Sequence, residues 1–82
     1  MSTTKEFETT VHVIQKSPTQ QVRFMVKNIY GKNIIDLRVF ILWKDTYIPT
    51  KKGVTIPSNM FQDFLNGIFE IGGALDEKGI KG

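Results

Sequence analysis

Cysteine is absent from these 82 residues. That excludes a disulfide framework, a thiolate metal site and a cysteine nucleophile. There is one histidine, His12, and no second ligand is spaced to join it, so neither a metal centre nor a histidine-based triad can be assembled. No apolar run approaches the roughly 20 residues that span a bilayer. The opening MSTTKEFETT lacks the apolar core of a secretory signal. The composition therefore predicts an intracellular protein, in cytoplasm or nucleoid, with no membrane contact. Lys51-Lys52-Gly53 lacks the glycine-rich loop that cradles a nucleotide, and Ser58 and the threonines have no base beside them. Enzyme, cofactor and small-molecule substrate readings have no residues to rest on.

What is present is charge in one place. The chain carries a net +3. Between Val22 and Ile56 lie seven basic residues and two acids, a local balance of +5, while the remainder sums to −2. A concentration of this kind fits an anion-binding face, with lysines scattered for solubility as the alternative.

Glu6 to Gln15 alternates, with Phe7, Thr9, Val11 and Val13 opposite Glu6, Glu8, Thr10 and His12. This is the period of a half-buried strand. Ser17-Pro18-Thr19 interrupts it. Gln21 to Asn28 alternates again, with Val22, Phe24 and Val26 opposite Arg23, Met25 and Lys27. A tight turn follows at Tyr30-Gly31-Lys32, where glycine accepts positive φ. A longer strand runs from about Asn33 to Trp43, and Lys44-Asp45-Thr46 turns the chain. A short strand at Tyr47-Ile48 should meet an edge or bend at Pro49, with a second bend at Gly53 before Val54-Thr55-Ile56.

At Pro57-Ser58 the period changes. Ser58 is a good N-cap, and Met60, Phe61, Phe64, Leu65, Ile68 and Phe69 recur at helical spacing. The pattern predicts a helix from about Asn59 to Phe69, ended by Gly72-Gly73. Residues 1–71 then form one domain and 72–82 a flexible tail. The fold class is α+β: a curved antiparallel sheet of four to five strands followed by one amphipathic helix. That helix is too apolar for one sheet contact. Phe61, Leu65 and Ile68 can cover the sheet, leaving Met60, Phe64 and Phe69 on an adjoining flank. Packing Met60, Phe64, Gly67, Ile68 and Phe69 on a two-fold copy, with Gly67 permitting close approach, predicts a homodimer; the alternative is that the N-terminal strand or the tail folds over this flank.

Alternation also places the candidate ligands. Arg23 and Lys27 share a face, and so do Asp36, Arg38 and Phe40 on the next strand. Arg38 can bridge a phosphate bidentately, and Asp36 orients it or a neighbouring cation. Lys51 and Lys52 lie in a loop from which flexible ammonium groups can follow a backbone. Tyr30, Phe40 and Trp43 are candidate stacking aromatics, with packing as the alternative for each. A bulge would reverse the parity, so the sequence leaves open which of them faces outward. Aromatics and cations on one sheet suit single-stranded nucleic acid.

Taken in order, Gly31-Lys32, Asp36-Leu37-Arg38, Pro49, Lys51-Lys52-Gly53-Val54 and the final amphipathic helix resemble the positive cofactor four family. These are transcriptional coactivator domains that bind single-stranded DNA. The resemblance covers about Val22 to Ile68. It implies a homodimer through the C-terminal helices, with a groove for melted or single-stranded DNA lined by Lys27, Lys32, Arg38, Lys51 and Lys52. It also implies a stand-alone bacterial or viral form, since long serine-rich or acidic arms are missing. The family's two usual aromatic positions hold Ile29 and Ile41 here, flanked by Tyr30, Phe40 and Trp43. The nucleic-acid site expected from residues and resemblance together is Arg23, Lys27, Tyr30, Lys32, Arg38, Phe40, Trp43, Lys51 and Lys52. The partners expected are single-stranded DNA, a second copy of the chain, and a polymerase or replication protein. Two alternatives stand beside this: an adaptor that docks a protein on its apolar helix, and an RNA-binding variant of the same groove.

Overall fold

The computed structural model describes residues 6–79. Four strands, β1 (Phe7–Ser17), β2 (Gln20–Ile29), β3 (Lys32–Trp43) and β4 (Thr46–Pro57), form one antiparallel meander in the order β1-β2-β3-β4. A short 3₁₀ turn (Ser58–Met60) leads into the helix α1 (Phe61–Glu77).

Two hairpins are closed by left-handed residue pairs, which match the right-handed twist of the flanking strands. Tyr30 (φ 52°) and Gly31 (φ 78°) join β2 to β3. Lys44 (φ 49°) and Asp45 (φ 66°) join β3 to β4. β2 and β3 run in unbroken register from Gln20↔Ile41 to Ile29↔Lys32. Gln21, Arg23, Met25 and Lys27 therefore share a face with Phe40, Arg38, Asp36 and Ile34. Val22, Phe24 and Val26 share the other with Val39, Leu37 and Ile35.

The outer strands depart from simple alternation. In β1 the register shifts between Thr10 and His12, so His12 lies opposite Phe24 and Val13 opposite Arg23. One extra residue reverses every side chain beyond it. His12 thus joins the apolar face, edge-to-face with Phe24 at 5.3 Å, and Val13 lies on the cationic side. The expected two-piece final strand is one strand, β4. Its bend is absorbed where Arg38 pairs with Gly53 and Phe40 with Pro49, leaving Thr50, Lys51 and Lys52 opposite Val39 alone. Gly53 is required there, because a Cβ would lie 2.9 Å from the Arg38 Cα and closer still to the Leu37 carbonyl.

The helix is longer than its sequence suggests. It passes through Gly72-Gly73 to Glu77, so residues 72–77, expected as tail, are helical. It stops at Lys78, whose N–H bonds Ala74 O at 3.2 Å, followed by Gly79 at φ 68°. That left-handed glycine is the actual stop signal. Ser58 makes no capping bond and sits in the 3₁₀ turn. Residues 80–82 of the expected tail lie outside the described residues.

No described helical residue is buried. Phe61, Phe64, Leu65 and Ile68 face Val11, Phe24, Val26, Ile35 and Leu37 across an open apolar groove of about 680 Å³. Phe64, expected on the outer flank, is thus on the sheet side. Phe69 remains 70% exposed. The Cα radius of gyration is 15.4 Å, against about 12 Å for a compact domain of this length. The chain is a flat, open platform. Its buried side chains are Met25, Phe40, Asp36 and Asn28. Three of the four belong to the face that carries the arginines.

Candidate nucleic-acid interface

Arg23 and Arg38 sit directly opposite each other on β2 and β3. Two like charges in that position repel unless something separates them. Here they lean apart, into two different clusters.

Arg38 is tied into the protein. Its Nε and Nη2 donate to the two carboxylate oxygens of Asp36 at 3.2 and 3.1 Å, and Nη2 also reaches Thr55 Oγ1 at 3.3 Å. Nη1 donates to the Thr50 carbonyl at 2.9 Å. Lys27 Nζ shares Asp36 Oδ2 with Arg38 Nε, at 2.7 Å, and lies 3.8 Å from Glu8. Asp36 is 2% exposed. Burial alone pushes its carboxyl upward, but the bonds and charges of Lys27 and Arg38 outweigh that and hold it below the ordinary carboxylate range. Lys27 and Arg38 are thereby balanced by Asp36 and Glu8. Arg38, the residue the sequence marks first as a phosphate ligand, is a brace across β3 and β4.

The brace holds the bulge. Thr50 presents its carbonyl to Arg38, its hydroxyl donates to Val39 O at 2.7 Å, and the Lys52 N–H donates to that hydroxyl at 3.2 Å. Lys51 and Lys52 are therefore exposed on a segment fixed at both ends rather than on a loose loop.

Arg23 forms the second cluster. Its guanidinium lies over the Phe40 ring at 4.3 Å and near the Tyr47 ring at 5.7 Å. Its Nε donates to Gln21 Oε1 at 3.0 Å, Gln21 Nε2 to Gln15 Oε1 at 2.9 Å, and Gln15 Nε2 to the Tyr47 hydroxyl at 2.9 Å. Phe40, expected as a stacking platform, is 6% exposed. Its ring carries Arg23 instead of a base.

The other expected residues separate. Tyr30, 88% exposed at the tip of the β2–β3 hairpin, and Lys32 beside it stand at the far end of the sheet from Arg23. Trp43 ends β3 in register with Thr46, on the parity of Ile41 and Leu37, so it belongs to the helix side. It is 57% exposed, with Lys44 Nζ 5.6 Å from its ring. Sequence reasoning missed Tyr47, Gln15 and Gln21. Tyr47 pairs with Leu42 across the two-residue turn Lys44-Asp45, which puts it on the Phe40 face; reading the turn as three residues, Lys44-Asp45-Thr46, hid this.

No family model matches the sequence, and no curated protein matches it either. Solved structures do. A PC4 homologue from Burkholderia pseudomallei superposes with a TM-score of 0.75 at 22% identity, over 85% of this chain and 96% of that one. Its second crystal form gives 0.76 at 24% identity, over 80% and 98%. A bacteriophage T5 homologue of the eukaryotic transcription coactivator PC4, implicated in recombination-dependent DNA replication, gives 0.65 at 20%, over 88% and 81%. The fold is that of the PC4 homologues. The resemblance read from Gly31-Lys32 through the helix thus meets the same fold in three dimensions. In this PC4-like chain the four strands and C-terminal helix span nearly the whole of the Burkholderia protein.

Proposed function

We infer that this chain binds single-stranded or locally melted DNA on its arginine-bearing face, with little sequence preference and without chemistry. The observation that carries this is the aromatic-mounted Arg23 opposite Arg38, whose guanidinium braces the bulge bearing the exposed Lys51 and Lys52. Cations collect phosphates and release counterions, and exposed aromatics such as Tyr30 stack bases at about 1–3 kcal/mol each. The PC4-like fold and the replication role of the phage homologue support a place in DNA replication, recombination or transcription.

The binding species is a homodimer. An open apolar groove and a helix with no buried residue are unfavourable in an isolated chain. A second copy packed on Met60, Gly67, Ile68 and Phe69 removes that surface from water. Gly67 fits this reading: a Cβ added there meets nothing within 4 Å among the described residues, leaving room for a neighbour to pack closely.

Oligo-dT titration at several salt concentrations tests the reading. Neutralising about four phosphates per protomer gives a slope of log K against log salt of roughly −3. Competition between oligo-dT and oligo-U separates DNA from RNA. The exposed Phe69 favours one further reading, an adaptor docking a protein on its helix. Absence of oligo-dT binding at low salt, with a folded monomer in sedimentation, would select it.

A further inference from the structure

The two facing arginines have different uses. We propose that Arg23 is the guanidinium that grips a phosphate of the bound strand, and that Arg38 is a positioning residue that holds the Lys51–Lys52 bulge. This rests on the single-strand binding reading above and assigns its contacts.

Hydrogen-bond capacity gives the first argument. A guanidinium has five N–H donors in a planar fork. In Arg38, Nε, Nη1 and Nη2 all meet protein acceptors: Asp36, Thr50 and Thr55. In Arg23 only Nε does, on Gln21, and neither Nη1 nor Nη2 has an acceptor among the described residues. Two neighbouring nitrogens with free in-plane hydrogens are the donor geometry that a phosphate takes bidentately.

Charge gives the second. Lys27, Arg38, Asp36 and Glu8 form a balanced group, held by contacts of 2.7 to 3.8 Å. Arg23 makes no ion pair with a described residue. The unbalanced charge around this face is therefore at Arg23, at exposed Lys32 by the β2–β3 turn and on the exposed Lys51 and Lys52 of the bulge.

Rigidity gives the third. The Phe40 ring lies beneath the Arg23 guanidinium, and Tyr47 flanks it while bonded to Gln15, which holds Gln21, which holds Arg23 Nε. The fork is set before ligand arrives, so little side-chain entropy is lost on binding. The guanine edge also offers two in-plane acceptors, and the ligand series below separates it from phosphate.

Arg23→Lys keeps the charge but loses the fork, whereas Arg23→Met keeps an unbranched stem over Phe40 but loses both. Both are titrated by anisotropy against oligo-dT, which contains no guanine, and against the same length carrying central dG, with thermal melts alongside. Arg23→Lys is expected to bind oligo-dT about tenfold more weakly, the loss of a charge-assisted bond, with the salt slope unchanged. Arg23→Met should lose more and flatten the slope by about 0.7 per protomer. Should the Met variant not fold, the Lys variant decides alone. Lys and Met variants within twofold of the parent overturn the proposal. So does a loss confined to dG-containing strands, which would make Arg23 a base reader. A parent protein that ignores oligo-dT at low salt defeats the binding reading itself, and this assignment falls with it.

Discussion

Asp36→Asn is the most informative single change to the scaffold. It keeps the shape of the side chain and removes the charge that Lys27 and Arg38 share. Three contacts lose their ionic character: Lys27 at 2.7 Å and Arg38 at 3.1 and 3.2 Å. Charge-assisted bonds are worth about 1.5–3 kcal/mol each, and breaking a buried pair costs about 3–5 kcal/mol. Lys27 and Arg38 keep about a fifth of their side chains in water, so both can partly rehydrate. The loss should therefore fall near the lower end, about 3 kcal/mol. For a domain of this size each kilocalorie moves the melting temperature by about 4–8 °C, so a drop of about 12–24 °C is expected at neutral pH. The pH dependence has a defined sign. The folded Asp36 titrates below its ordinary value of 3.8. Its contribution is complete above that value and is lost as pH falls through the lower, folded one. The parent should lose stability on acidification in that window, and the Asn variant should lack this component. Melting followed by circular dichroism from pH 7 to pH 2 measures both. A variant that melts within about 2 °C of the parent would refute the brace.

Gly53→Ala places a methyl against the Arg38 Cα and the Leu37 carbonyl. It should cost about 1–3 kcal/mol, read as a lower denaturation midpoint. Replacing Lys51 and Lys52 together by alanine should leave melting unchanged and reduce the salt slope for oligo-dT by about 1.4. An unchanged slope would remove both lysines from the interface. Gly67→Ala separates fold from assembly. In one protomer it meets open space and should raise helix stability by up to about 1 kcal/mol. If a partner packs on it, sedimentation will instead show weaker dimers.

The long central strands were legible because β2 and β3 pair without a break, so alternation from Val22 to Ile41 predicts which side chains share a face. The Tyr30-Gly31 turn and the switch of period at Pro57-Ser58 were legible for the same local reasons. Errors began where one residue was inserted. The shift at Thr10–His12 put His12 on the apolar side, and the three residues facing Val39 joined two expected strand pieces into one. Gly72-Gly73 looked like a stop, but helix propensity alone does not end a helix whose backbone bonds can continue. Gly79 supplied the left-handed cap instead. The residue types of the site were visible, but their division of labour was not. That Asp36 binds Arg38, and that Phe40 lies beneath Arg23, depends on which way two facing arginines lean. Sequence spacing is the same for either choice.

Fluorescence titration of labelled oligo-dT and of matched duplex, each at two salt concentrations, tests the central claim most directly. Preferential binding of the single strand, with a log–log salt slope of roughly −3 per protomer, is the predicted result. Affinity that is absent at low salt, or indifferent to salt, would contradict it.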